Sequence, residues 1–181
     1  MSEIHPSIKK WYVVHTRARA EKKVYAELTG SGITCFLPMQ KRLRQWKDRK
    51  KWVNLPLITG YCFVNINNNE YNKVFQSANV VSFITFEGKA AVVPSAQIEQ
   101  LKLMLKQSDI EVSALNENFK PGRKVEIVEG PLIGLQGELI EVRGKNRLIL
   151  RVEHINSVFS VELPSGCITL LPENHLTCSA L

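Results

Sequence analysis

The feature that most constrains the fold is a series of five short strand-like runs in the last third of the chain. Each run is rich in Val, Ile and Leu, and turn signals made of Gly, Pro, Asn or Ser separate the runs. Five short strands within about fifty residues are typical of a small β-barrel. The runs are Lys124–Val128, Glu138–Val142, Arg147–Val152, Val158–Leu163 and Cys167–Leu171.

The first half of the chain has a different sequence pattern, in which strand-like runs alternate with amphipathic helical segments. Its order is strand, helix, strand, strand, helix, strand and a trailing helix, which predicts a ferredoxin-like α+β unit on a mainly antiparallel sheet. A highly charged insert at Gln40–Asn54 predicts an exposed hairpin or long loop. The other predicted elements are strands at Trp11–Val14, Ile33–Met39, Tyr61–Ile66 and Val80–Thr85 and helices at Ala20–Leu28, at Glu70–Ala78 and from Ser95 onward.

Between these halves lies a polar stretch without a sustained hydrophobic period, SDIEVSALNEN, which suits a linker. We therefore predict an N-terminal domain at residues 9–107, a linker at 108–118, a C-terminal domain at 119–172 and a flexible tail at 173–181.

Charge divides along the same boundary. Residues 1–107 hold 17 Lys and Arg against 7 Asp and Glu, a net charge of +10, whereas residues 108–181 hold 7 against 10, a net charge of −3. Only the first half can attract a polyanion by bulk charge. This division predicts two different partners for the two halves.

Several classes of protein are disfavoured by what the sequence lacks. No apolar run is long enough to span a membrane, and the first residues lack the apolar core of a secretory signal, so we expect a cytoplasmic protein. The four cysteines form no C-x-x-C pair, and the four histidines are isolated, which argues against a metal site. No nucleotide-binding or hydrolase motif is present, so we expect neither a cofactor nor catalytic residues, and hence no enzyme.

Both halves resemble one known family. WYVVHTRARAEKKV at residues 11–24 and GYCFVNI at residues 60–66 resemble the opening strand and helix and the P-G-Y-x-x-V segment of the NusG family, although Thr59 stands where that family usually has proline. VVSFITFEGKAAVVP at residues 80–94 is similar to its next strand and loop. FKPGRKVEIVEGPLIGLQGELIEV at residues 119–142 resembles the family's KOW motif.

The resemblance extends over roughly residues 11–171 and implies a NusG N-terminal (NGN) domain followed by an SH3-like KOW barrel. It also implies a transcription elongation or antitermination factor. VVPSAQIEQL at residues 92–101 and the His-Ile-Asn step at residues 154–156 are more similar to specialised paralogues of the RfaH and UpxY type than to the general factor.

Strand Tyr61–Ile66 carries the first candidate site. Alternate residues of a strand share a face, so Cys62, Val64 and Ile66 are expected in the core and Tyr61 and Phe63 on an apolar outer surface. Such a surface suits the centre of a protein interface, and the resemblance implies that the clamp helices of RNA polymerase bind there, with His15 at its border. The alternative is that both rings are ordinary core residues.

The second candidate site is basic. Seven cations in the eleven residues 41–51 repel one another unless an anion relieves them, and interleaved tryptophans can stack on bases. We predict contact with DNA near the transcription bubble; the alternatives are a solvated hairpin and a solvated face of the first helix. The candidate residues are Arg17, Arg19, Lys23, Lys41, Arg42, Arg44, Trp46, Lys47, Arg49, Lys50 and Lys51.

Two further contacts are implied by the resemblance. Tyr71, Asn72 and Lys73 correspond to the region where the family touches the polymerase gate loop. Contact at clamp and gate together would bridge the DNA channel and suppress pausing by favouring its closed state. Ile155 is the candidate by which the KOW domain recruits a small-subunit ribosomal protein or the Rho termination factor; simple barrel core is the alternative. We expect a monomer.

Two other functions compete with this interpretation. A stand-alone KOW-type RNA-binding or ribosome-associated protein should carry its positive charge on the barrel, yet that half is acidic here. A DNA-binding repressor should show the spacing of a recognition helix, which the sequence lacks.

Overall fold

The computed structural model describes residues 8–46, 48–106, 112–115, 122–130, 132–142, 145–152, 158–163 and 167–171. We call the described residues up to 106 the N-terminal domain and those from 112 the C-terminal domain.

The N-terminal domain is α+β, as predicted. In chain order, its elements are β1 Lys10–Thr16, α1 Glu21–Gly30, β2 Thr34–Phe36, β3 Met39–Gln45, β4 Lys50–Pro56, β5 Tyr61–Ile66, a 3-10 turn Asn68–Glu70, α2 Tyr71–Val74, β6 Val80–Phe83, β7 Thr85–Phe86, β8 Lys89–Ala90, β9 Val92–Val93 and α3 Ser95–Lys106. The central sheet has the strand order β2-β5-β1-β6, β9 also pairs with β1, and all these pairs are antiparallel.

Three predicted elements differ from the observed ones. The predicted strand Val80–Thr85 is split, because β6 ends at Phe83 and Thr85 begins β7. The run Ile33–Met39 is not one strand, because only Thr34–Phe36 pairs with β5 and Met39 already belongs to the β3–β4 hairpin. Pro38 separates the two pieces, since proline has no N–H to donate to a sheet. The predicted helix Glu70–Ala78 is shorter, with α2 covering Tyr71–Val74.

The sheet separates two buried hydrophobic clusters. We call the cluster that includes residues of α1 and α2 the first core, and the one that includes residues of α3 the shared core. The first core contains Val14, Val24, Leu28, Ile33, Leu37, Cys62, Val64, Ile66, Val74, Val80 and Phe83. The N-terminal part of the shared core contains Trp11, Val13, Leu57, Ile58, Phe63, Val93, Ile98, Leu101 and Met104.

The C-terminal domain is a six-stranded antiparallel sheet. Its strands are β10 Val112–Leu115, β11 Arg123–Ile127, β12 Gln136–Val142, β13 Lys145–Arg151, β14 Val158–Glu162 and β15 Ile168–Leu170, in the order β10-β14-β13-β12-β11-β15. The last five correspond to the five predicted runs. Gly137 allows a close approach of β12 and β13, because a Cβ there would lie 2.6 Å from the Ile149 carbonyl oxygen.

Strand β10 corrects the predicted linker. Val112–Leu115 lies within residues 108–118 but pairs with β14, with Val112 opposite Val161. The Val112 side chain is fully buried, so four residues of the expected linker extend the C-terminal sheet instead. The pairing with β14 and the burial of Val112 together stabilise this short edge strand.

The two domains are in contact. The shared core continues without interruption from α3 into the C-terminal domain, where it includes Leu135, Leu148 and Phe159. At its edge, the Gln136 backbone N–H donates to Gln100 Oε1 on α3 at 2.9 Å. Helix α3 therefore packs against the N-terminal sheet and also contacts the C-terminal domain.

Candidate functional site

The two faces of β5 follow the predicted alternation. Cys62, Val64 and Ile66 are fully buried in the first core, and Phe63 belongs to the shared core on the opposite side of the sheet. Tyr61 packs against that same shared core and is only partly buried. The period of two residues is therefore confirmed for this strand.

The expected exposure of Phe63 is wrong. Its side chain is 0% exposed, and its ring lies 5.9 Å from the ring of Phe36 on the neighbouring strand. Helix α3 contributes Leu101 and Met104 to the same buried cluster. Alternation identifies the face on which a side chain lies, but not which element packs over it.

Tyr61 and His15 form the open border of this face. The two residues are opposite each other on β5 and β1, and their ring centroids are 5.6 Å apart. His15 is exposed, and next to it Gly60 adopts a left-handed φ of 83° that a side chain would strain. This pair is the part of the predicted polymerase-binding surface that a partner can reach in this structure.

Lys102 lies over part of the same face. Its ammonium nitrogen is 5.3 Å from the ring centroid of Trp11 and 5.7 Å from that of Phe36, within the range of cation–π contacts. It also forms an ion pair with Glu99, 2.7 Å away. Trp11 is therefore shielded by α3 on the side that faces away from the first core.

The charged insert forms the exposed hairpin β3–β4, as predicted. A hydrogen bond from the Trp46 N–H to the Arg49 carbonyl, 2.7 Å long, closes its turn. In the register, Leu43 is opposite Trp52 and Arg44 is opposite Lys51. Because directly opposed residues share a face, Leu43 and Trp52 lie on one side of the hairpin and Arg44 and Lys51 on the other.

Every described cation of the predicted nucleic-acid site is exposed. Within the hairpin, Arg49 forms one loose ion pair with Asp48 at 3.8 Å, which contributes little in solvent. Lys41 lies 5.6 Å from the Trp52 ring centroid. Lys47 lies outside the described residues. The exposed candidates are Arg17, Arg19, Lys23, Lys41, Arg42, Arg44, Arg49, Lys50 and Lys51, with Trp46 exposed beside them.

The predicted gate-loop residues do not all face solvent. Tyr71 stacks on Phe83 with ring centroids 4.1 Å apart, and burial raises the pKa of its hydroxyl. Asn72 and Lys73 are exposed on α2. Tyr71 is therefore mainly a packing residue here, while the other two side chains are accessible.

Some features of the site were not anticipated from the sequence. Thr59 lines a basic cavity together with Lys22 and several of the predicted cations, and Cys62 lowers the pKa of the Cys35 thiol on the neighbouring strand. Both groupings bring together residues distant in sequence, so no local sequence pattern could have indicated them. Ile155, the residue predicted to contact the partner of the C-terminal domain, lies outside the described residues.

The described part of the chain holds no group of three or more His, Cys, Asp and Glu side chains placed to bind a metal. It also contains no helix with the length and apolar character needed to cross a membrane.

The fold and the exposed basic hairpin define a class: a two-domain protein with a ferredoxin-like α+β domain and a small all-β domain packed on its last helix. A family model described as "Transcription termination factor nusG" matches residues 9–102, more than half of the chain. The chain belongs to the NusG family.

Individual relatives agree with this membership. The "Transcription termination/antitermination protein NusG" of Treponema pallidum is 26% identical over 175 residues, covering 86% of this chain and 95% of that protein. The protein of the same description from Streptococcus pyogenes serotype M3 is 23% identical, covering 86% of this chain and 93% of that protein.

A solved structure supports the fold. "Domain interaction in Thermotoga maritima NusG" matches with a TM-score of 0.50 and 22% identity, covering 91% of this chain and 98% of that one. The similarity extends over both domains.

Proposed function

We propose that this chain is a non-enzymatic transcription elongation and antitermination factor that binds RNA polymerase through the N-terminal sheet face around Tyr61. The observation that carries the proposal is the family match, which spans nearly the whole N-terminal domain. The relatives are termination and antitermination proteins by description.

The accessible border of His15 and Tyr61 is the first part of the polymerase-binding surface. Tyrosine combines a large apolar ring with a polar hydroxyl, so it suits the centre of an interface. Phe63 lies deeper, in the shared core that also holds α3 and C-terminal side chains. We infer that the clamp helices engage the border first and that Phe63 becomes available only when the C-terminal domain and α3 shift.

Asn72 and Lys73 supply a second contact in this proposal. Both are exposed on α2, and the resemblance implies the polymerase gate loop as their partner. Bridging clamp and gate stabilises the closed state of the DNA channel to the extent that the factor binds that state better, which suppresses pausing without any chemical step.

The basic hairpin and the cations near α1 contact DNA beside the transcription bubble. Their exposure and the net charge of +10 of residues 1–107 favour a polyanionic partner. The C-terminal domain recruits a second protein, either a small-subunit ribosomal protein or Rho. Ile155 remains the predicted contact.

A paused-transcription assay with purified polymerase tests the proposal. We expect the chain to shorten pauses and the double variant His15→Ala/Tyr61→Ala to lose at least half of that effect. The matched control is Tyr25→Ala, since Tyr25 is an exposed tyrosine on α1. Equal pause suppression by all three proteins would contradict the proposed surface.

A further inference from the structure

Two cysteines lie side by side on the face of the N-terminal sheet that covers the first core. Cys35 on β2 is opposite Val64, and Cys62 is two positions from Val64 along β5, so the three side chains share one face. Cys62 is fully buried in the first core, and Cys35 packs against that core while remaining partly exposed. Residues 36–61 separate the two cysteines in sequence, so the sheet alone brings them together.

The two thiols are oriented toward each other. The Cys62 thiol extends across to β2, where it donates to the carbonyl oxygen of Phe36, the residue after Cys35, at 3.8 Å. A side-chain hydrogen bond also joins it to the sulfur of Cys35. Cys35 Sγ itself lies 3.5 Å from the carbonyl oxygen of Ile33 on its own strand. The two sulfur atoms are therefore neighbours without any rearrangement of the sheet.

The two thiols differ in reactivity. The hydrogen bond from Cys62 lowers the pKa of Cys35 against the opposing effect of burial, and the Thr29 hydroxyl adds to the lowering. The same bond and deep burial raise the pKa of Cys62. Since a thiolate is a far better nucleophile than a thiol, Cys35 is the sulfur that attacks an oxidant first. Cys62 remains a protonated thiol beside it.

The position of β2 allows the two sulfur atoms to come closer. β2 is the edge strand of the central sheet, and its three residues Thr34–Phe36 are paired with β5. Diagonal neighbours on one face of a sheet are about 7–8 Å apart, and a disulfide needs Cα atoms within roughly 7 Å of each other. A small shift of a short edge strand closes this difference.

We propose that Cys35 and Cys62 form a reversible disulfide when the protein meets a peroxide. The Cys35 thiolate attacks one oxygen of hydrogen peroxide, the O–O bond breaks, and the departing hydroxide takes up a proton, which leaves water and a sulfenic acid on Cys35. The Cys62 sulfur then attacks the sulfenic sulfur, the S–O bond breaks, and the hydroxyl leaves as water with the Cys62 proton. Two thiols lose two electrons in total, and one peroxide is reduced to two waters.

The disulfide closes a covalent loop around the basic hairpin. β2 leads through Leu37 and Pro38 directly into β3, so a cross-link at Cys35 fastens the base of the hairpin to β5. Loop closure restricts the unfolded chain, so the oxidised protein should also resist heat better than the reduced one. The reaction needs no polymerase or nucleic acid, and its outcome is therefore independent of the proposed function.

Peroxide treatment of the full, reduced chain at neutral pH tests the proposal. Trypsin releases Cys35 in the peptide of residues 24–41 and Cys62 in the peptide of residues 52–73. We expect these two peptides to be joined, with the loss of two hydrogen atoms, and dithiothreitol to separate them again. Mass spectrometry of a non-reducing digest measures this on the parent chain, without any substitution.

Variants separate the roles of the two sulfur atoms. In Cys62→Ala the sulfenic acid on Cys35 has no thiol to resolve it, so its labelling by dimedone should exceed that of the parent about fivefold or more. In Cys35→Ala the Cys62 thiol should stay reduced at the same peroxide concentration. The matched control is Cys167→Ala, since Cys167 is also buried but lies in the C-terminal domain, and it should leave the yield of joined peptides unchanged.

Three outcomes would overturn the proposal. One is a cross-link from residues 24–41 or 52–73 to residues 152–181, which contain the other two cysteines. Another is dimedone labelling of the parent as strong as that of Cys62→Ala, because Cys62 would then not resolve the sulfenic acid. The third is the appearance of joined peptides only in urea, since the folded sheet would then keep the two sulfur atoms apart.

Discussion

At the scale of single residues, the thiols of Cys35 and Cys62 show how sheet register changes reactivity. Cys35 is opposite Val64, so Cys62 is its diagonal neighbour on β5. A hydrogen bond from the Cys62 thiol lowers the pKa of Cys35, while the same bond and burial raise the pKa of Cys62. The thiolate is the nucleophile, so Cys35 should be the more reactive of the two.

We therefore predict that iodoacetamide at neutral pH alkylates Cys35 well before Cys62, as measured by peptide mass spectrometry over time. Cys62→Ala removes the donor and should slow alkylation of Cys35 severalfold. Val64→Ala is the control, since it opens space beside Cys35 and keeps the thiol donor. Faster alkylation of Cys35 in Cys62→Ala than in the parent would show that access, not the hydrogen bond, controls its reactivity.

A second prediction at this scale concerns Phe63. Its ring is fully buried in the shared core, so Phe63→Ala should lower the free energy of unfolding by about 3–5 kcal/mol. Phe75, 46% exposed, is the matched control, and Phe75→Ala should cost about 1 kcal/mol or less. Urea unfolding followed by tryptophan fluorescence measures both. A small effect of Phe63→Ala would mean that its ring lies on an open surface.

The sequence predicts residue faces better than residue environments. The alternation of Tyr61, Cys62 and Phe63 follows from the period of a strand, and the structure agrees. The cluster in which Phe63 is buried includes residues of α3 and of the C-terminal sheet, more than thirty positions away. No local pattern near residue 63 contains that information.

At the scale of elements, a small network fastens α1 to the turn before β6. Glu27 on α1 accepts hydrogen bonds from the buried Ser77 hydroxyl and from Asn79 Nδ2, the first at 2.5 Å. The Ser77 bond is the main reason why the pKa of Glu27 lies below its usual value. A carboxyl with a lowered pKa in the folded state adds stability above its unfolded pKa, and that stability is lost as pH falls through the folded pKa.

Ser77→Ala should therefore lower the melting temperature at pH 7 by several degrees, and the difference from the parent should narrow as the pH falls below about 4, where the carboxyl is protonated in both proteins. Asn72→Ala on exposed α2 is the control and should leave the melting temperature nearly unchanged at every pH. Circular dichroism melts at several pH values measure the effect. If Ser77→Ala lowered the melting temperature by the same amount at every pH, the loss of stability would come from packing alone.

The β3–β4 hairpin also has some features that the local sequence predicts and others that depend on distant residues. Its exposure follows from charge density, because seven cations in eleven residues cannot be buried, whereas the choice between a hairpin and a long loop was left open by the sequence. Its two unlike faces depend on the register of β3 against β4, which the turn at Trp46–Arg49 determines. The cavity beside it also needs α1, so its lining could not be assembled from the sequence.

At the scale of the whole molecule, the shared core couples the two domains. Leu101 of α3 is fully buried in it, together with side chains of the C-terminal sheet. Leu101→Ala should therefore raise amide hydrogen exchange in both β1 and β13. Val24→Ala, in the first core, should raise exchange in the N-terminal sheet only. Hydrogen-exchange mass spectrometry reads both, and an effect of Leu101→Ala confined to the N-terminal domain would contradict the coupling.

The unequal division of charge and the change from mixed helix and strand patterns to strand patterns alone predict two domains with two partners. The predicted fold class is confirmed. The contact between the domains is not predictable from either half, because each supplies only part of the shared core. Strand β10 was missed for a related reason: Val112–Leu115 is too short and too polar in context to predict a strand without β14 beside it.

The central claim is that the N-terminal sheet face around Tyr61 docks on RNA polymerase. The most direct measurement is the equilibrium affinity of core polymerase for the full chain, for Tyr61→Ala and for Tyr25→Ala, with melting curves to confirm that all three are folded. We predict that Tyr61→Ala weakens binding about tenfold or more, a loss typical of an interface hot spot, and that Tyr25→Ala binds like the parent. Equal affinity of the parent and of folded Tyr61→Ala would contradict the claim.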